Sequence, residues 1–166
     1  MEEETVFSVK TSKRGVFDMD KLYSAVMKWY KSHDFKAVET KHKDKPDAYG
    51  GRQLYHEWTG DAKVTSYIRF FTDVVFELRE ATPVEIKKDN KKLKKTRARI
   101  NITINSKTVA DWRKVFEKGP FLKRFEKLVN KYFKKKEISS HQGQLVAWSS
   151  ELHNTLKKLL EMETAG

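Results

Sequence analysis

The stretch from Val64 to Arg79 constrains the fold more than any other part of the chain. Its alternate positions Val64, Ser66, Ile68, Phe70, Thr72, Val74, Phe76 and Leu78 are mostly apolar, whereas the interleaved Tyr67, Arg69, Phe71, Asp73, Val75, Glu77 and Arg79 are mixed. Successive strand side chains point to opposite faces, so this period of two describes a long antiparallel strand with one buried face. A matching pattern runs from about Lys95 to Lys107, with Ala98, Ile100, Ile102 and Ile104 on one side and Arg97, Arg99, Asn101, Thr103, Asn105 and Lys107 on the other. Two strands of that length must belong to a sheet whose apolar side something else covers.

Val84, Ile86 and Leu93 extend both strands to a turn at Asp89-Asn90. A two-residue loop there sets inward Ile100 opposite outward Arg79, and the faces do not match. One extra residue repairs the register, and Thr82-Pro83 is its expected place, because proline cannot donate to the ladder. The outer hairpin is then expected to bend away from the sheet and present Lys87, Lys88, Lys91, Lys92, Lys94 and Lys95 to solvent.

The remaining elements follow from the same reasoning. Val6, Phe7 and Val9 mark a short first strand that ends at the turn-like Ser12–Gly15. Asp18 precedes a 3.6-residue pattern, Leu22, Val26 and Trp29, so its carboxylate caps a helix running to about Ser32. Phe35–Lys43 reads as a strand that fades into a polar loop around Pro46, Gly50 and Gly51, where Asp44 and Asp47 are expected to be solvated. Arg52–Thr59 is the next strand, with Gly60-Asp61 as its closing turn. Gly119-Pro120 starts a second helix with Phe121, Leu122, Phe125, Leu128, Val129 and Tyr132 on its buried side. Ser139 and Gln142 form a capping-box pattern before a final helix striped by Leu145, Trp148, Leu152, Leu156 and Leu159. The expected fold is therefore one α+β domain over residues 1–166. It is an antiparallel β-sheet with a long bent hairpin, covered on one face by an N-terminal helix and two C-terminal helices.

Charge narrows the function. The 166 residues carry a formal charge of +12, gathered in two blocks: Lys87–Arg99 holds +7 and Arg113–Lys136 holds +8, so the rest nets about −3. With no cysteine, disulfides and thiolate metal sites are excluded. The acidic start Met1-Glu2-Glu3-Glu4 is unlike a secretory or mitochondrial signal, and no run approaches a membrane span, which leads us to expect a cytoplasmic protein without a transmembrane segment.

No glycine-rich phosphate cradle or nucleophile elbow is present, and His33, His42, His56, His141 and His153 lack the i, i+4 spacing of a helical zinc site. His56 alternates with Leu54 and Trp58, which reads as a core or edge histidine. We therefore expect a non-catalytic protein with no cofactor and no metal. Clustered lysines and arginines suit phosphate backbones, so the expected partner is nucleic acid or a ribonucleoprotein. The expected phosphate contacts are the six hairpin lysines, Arg97 and Arg99 on the adjoining strand, and Lys123, Arg124, Lys127 and Lys131 on the second helix. Tyr67 and Phe71 are the candidate base-stacking rings. Two alternatives come from architecture. The element order parallels that of helix-grip folds, which would make Phe70, Phe76, Trp58, Trp29 and Trp148 the lining of an apolar ligand cavity. The near-heptad final helix would instead pair copies in a homo-oligomer, as in a virion or other assembly.

Overall fold

Alternation of dry and wet side chains carries directly into the strands of the computed structural model, which describes residues 2–110, Arg124 and residues 135–164. In chain order the elements are β1 (Glu2–Phe17), α1 (Met19–Ser32), β2 (Lys36–Pro46), β3 (Arg52–Lys63), β4 (Ile68–Lys88), β5 (Lys91–Ala110) and α2 (Lys135–Thr164). The five strands form one antiparallel sheet in the order β1-β5-β4-β3-β2. Strands β2 to β5 are a meander, while α1 carries the chain from one edge of the sheet to the other. Beneath the helices, Ile68, Phe70, Val74, Phe76 and Leu78 of β4 and Ala98, Ile100, Ile102 and Ile104 of β5 are buried, as the alternation requires.

Helices α1 and α2 close this face. Asp18 caps α1 by accepting the Lys21 backbone N–H at 3.2 Å, and Leu22, Val26, Trp29 and Tyr30 point into the core. On α2, Leu145, Leu152, Leu156 and Leu160 are buried in the same cluster, so the leucine stripe packs on its own sheet. Polar clasps register the layers: the Trp29 indole N–H donates to the Trp148 carbonyl at 2.8 Å, and buried hydroxyls run from Thr72 through Ser106 to Ser149. The aromatic residues fill the space between helices and sheet, ring against ring, with Trp58 5.2 Å from Phe76 and Phe70 5.9 Å from Trp148. A groove of about 590 Å³ lies between α1 and α2 and opens to the surface. Among the described residues, no helix is long and apolar enough to cross a membrane.

Several expectations need correction. Strand β1 does not stop at Ser12–Gly15; it runs on to Phe17, because the Ser8 and Ser12 hydroxyls bond Asn105 and Asn101 across the ladder and polar pairs replace apolar alternation. Strand β3 passes through Gly60-Asp61, and the turn lies at Val64–Tyr67, where the Val64 and Thr65 N–H groups both donate to the Ile68 carbonyl. Ser139 lies inside α2, not at its cap, and Gln142 instead donates to Glu4 at 2.8 Å. The helix expected from Gly119-Pro120 lies outside the described residues, apart from Arg124, which is helical and exposed.

Gly60 pairs with Ala37 and Thr72 inside the strand, and Tyr30 lies on it. A Cβ there would collide with the Tyr30 ring, whose hydroxyl donates to the Thr72 carbonyl at 2.7 Å and so has no room to retreat. Gly60→Ala is expected to lower the unfolding free energy by about 1–3 kcal/mol through overpacking, measured by urea denaturation. Unchanged stability would mean that the ring can move aside.

Candidate nucleic-acid interface

The hairpin leaves the sheet at a bulge. Below it Arg79 pairs with Arg99, and above it Thr82 pairs with Arg97, so Glu80 and Ala81 hold the extra residue. The extra residue is there, but at Glu80–Ala81 and not at the expected Thr82-Pro83, both of which pair regularly with β5. Glu80 adopts a left-handed backbone (φ 55°), a conformation uncommon for a non-glycine residue and supported here by its surroundings.

Those surroundings are the β2–β3 turn. The Asp47 carboxylate, fully buried, accepts the Glu80 backbone N–H at 2.9 Å, the Arg79 guanidinium at 3.0 Å and the Tyr49 backbone N–H at 3.1 Å. Gly51, at φ 70°, lies so close that a Cβ would come within 2.8 Å of the Ala81 carbonyl. Asp47 is therefore no solvated turn residue. Hydrogen bonds from Arg79, then from the two backbone N–H groups, hold its carboxyl at about 2, well below the usual range.

Beyond the bulge the hairpin has no strand neighbours. Pairing with β3 ends at Ala81 and pairing with β1 ends at Thr96, so residues 82–95 form a two-stranded ribbon reaching about 20 Å past the sheet. Asp89 and Asn90, both at positive φ (52° and 61°), close it as a tight turn of the kind that matches strand twist. Lys87 stands directly opposite Lys92, and Lys88 opposite Lys91. With Lys94, which stands opposite Glu85, these are five exposed ammonium groups.

Lys95 departs from the expected set. It is buried and reaches the Asp18 carboxylate at 3.5 Å, tying the root of the ribbon to the cap of α1. Arg97 and Arg99 are exposed as expected. An unforeseen third member, Arg14 on β1, stands opposite Arg99, so Arg14, Arg99 and Arg79 cross three strands in one row. Glu80, turned outward by the bulge, accepts a hydrogen bond from Arg14 at 3.2 Å and forms an ion pair with Arg99 at 3.4 Å. A groove of about 500 Å³ lined by Arg14, Arg79, Arg99, Ser12, Asn101 and Glu77 lies beside them. Only the pairing register, invisible in linear sequence, brings Arg14 into this row.

The two rings do not join this region. Phe71 lies on the outer face with the Arg69 and Lys107 cations each 5.4 Å from its centre, eight residues and roughly 26 Å along β4 from Arg79. Tyr67 is in the turn before β4 and packs against the edge of the core. Between Phe71 and the arginine row the outer face carries Asp73 and Glu77 of β4 and Glu57 of β3, so positive charge is concentrated at the ribbon end. Lys123, Lys127 and Lys131 lie outside the described residues.

No protein-family model matches this chain, and no match was found among the curated proteins.

The low carboxyl of Asp47 fixes the direction of a pH effect. Its stabilisation is complete above the ordinary aspartate pKa of about 4 and is lost as pH falls from there towards about 2. Asp47→Asn is expected to lower the thermal midpoint by several degrees at neutral pH, with the gap to the parent protein closing over that acid window. Equal midpoints at neutral pH would show that the clamp does not hold the bulge.

Proposed function

We propose that the protein is a non-catalytic nucleic-acid-binding domain that grips the phosphate backbone with the ribbon of residues 82–95 and the arginines at its root. The observation carrying this reading is the pair of lysine–lysine oppositions, Lys87 with Lys92 and Lys88 with Lys91, on a ribbon with no packing duty. Like charges directly opposite one another destabilise a strand pair. An arrangement that weakens the isolated fold gains its energy elsewhere, and release of counterions from a phosphate backbone supplies it.

Shape agrees with charge. A two-stranded ribbon fits the major groove of a duplex, and lysines on both of its sides meet phosphates of the flanking strands. Lys88 and Lys91 share a side with Arg97, which continues the positive track onto the sheet, while Lys87, Lys92 and Lys94 occupy the other side. Base stacking has no part in this reading, because Phe71 and Tyr67 are remote from the ribbon. Ammonium groups on flexible stems sense charge, not base edges, so sequence preference is weak.

The five lysine contacts alone contribute a slope of about −4.5 to the fall of log K against log salt for duplex DNA. Replacing Lys87, Lys88, Lys91, Lys92 and Lys94 by Gln is expected to remove that share of the slope, leaving the smaller share of the root arginines, and to weaken binding at least about a hundredfold, while the thermal midpoint stays level or rises. Salt-independent binding, or a variant that binds like the parent, would overturn the assignment.

A further inference from the structure

At the opposite end of the sheet from β1, three ligand-type side chains converge at the β2–β3 edge. His42 on β2 stands directly opposite His56 on β3, with their Nδ1 atoms 3.1 Å apart. Glu39 Oε1 completes a triangle, 3.0 Å from the His56 Nδ1 and 3.3 Å from the His42 Nδ1. Residues three apart on a regular strand point to opposite faces. Here a bulge absorbs Thr40, so Glu39 opposite Trp58 and His42 opposite His56 fall on the same face. That irregularity is why the sequence, searched for i, i+4 histidines, does not show the cluster.

We propose that Glu39, His42 and His56 form a binding site for a divalent transition-metal ion of the zinc class. The three atoms lie too close together to be explained fully by protons. If each ring carries its proton on Nδ1, both N–H groups can aim at Glu39, but two donors then face each other at 3.1 Å. A single cation satisfies all three lone pairs at once. The centre of the triangle is about 1.8 Å from each atom, so an ion about 1 Å above its plane meets all three at the roughly 2.0–2.2 Å of zinc–nitrogen and zinc–oxygen bonds.

The surroundings favour a preformed site. The buried His56 ring is held edge-on by Tyr23 at 5.1 Å and stacks nearly parallel on Trp58 at 5.7 Å, so its Nδ1 direction is fixed by packing. His42 and Glu39 are about half exposed, which leaves the remaining coordination positions open to water or a small ligand. Two imidazoles and one carboxylate suit zinc, cobalt, nickel or copper, whereas magnesium and calcium demand an all-oxygen shell.

The full-length chain, freed of metal with a chelator, is to be titrated with zinc by calorimetry and with cobalt by absorption spectroscopy. One ion per chain, the d–d bands of a nitrogen- and oxygen-ligated cobalt ion, and no competition from excess magnesium are expected. His42→Ala and Glu39→Gln alter exposed side chains and should keep the parent circular dichroism while weakening zinc binding at least about tenfold each. A long-range nitrogen NMR spectrum should show Nδ1 of both His42 and His56 shifting when zinc is added. Absence of zinc binding, or affinity unaffected by both substitutions, would overturn the site.

Discussion

The Asp47 carboxylate reaches from the β2–β3 turn into the bulge of β4, where the ribbon carrying the exposed lysines begins. Without an extra residue at Glu80–Ala81, the apolar faces of β4 and β5 could not both meet the helices and still continue to a two-residue turn at Asp89-Asn90. With it, the register slips once, Glu80 turns its carboxylate between Arg14 and Arg99, and the ribbon leaves the sheet. A buried anion stabilises such a strained step because it satisfies a guanidinium and two backbone N–H groups together.

Charge is distributed with the same logic. Arginines set in a row at the root of the ribbon are countered by Glu80 and Asp47, so that part of the surface tolerates its own density. The ribbon carries only Glu85, opposite Lys94, and Asp89 at its tip against five exposed lysines. Lysine faces lysine there, a local instability that an anionic partner would offset under the proposed function. Exposed β2, with Lys36, Lys41, Lys43 and Lys45, follows a different rule: a charged edge strand resists pairing with other chains.

Much of the fold is legible from the chain alone. Alternation from Ile68 to Leu78 and from Ala98 to Ile104 marks the buried face, Asp18 announces the first helix, and the register mismatch between Ile100 and Arg79 demands a bulge. What escapes has a shared cause, since it depends on partners distant in sequence. β1 pairs through serine and asparagine side chains, Gly60 lies in a strand under the Tyr30 ring, and buried Asp47 meets Arg79 and the Glu80 N–H, both more than thirty residues away. Lys95 belongs by sequence to the hairpin and in space to the cap of α1. The arginine row and the Glu39, His42 and His56 cluster both arise from cross-strand pairing plus a bulge, a combination no linear spacing reveals.

Amide chemical shifts of the nitrogen-15-labelled protein, followed during titration with a short nucleic-acid duplex, test the central claim most directly. The account predicts that perturbations concentrate on residues 82–99 and on Arg14, leaving Asp61, Phe71 and Asp73 unmoved. Perturbations centred on Phe71 and the middle of the outer face, or none at all, would contradict it.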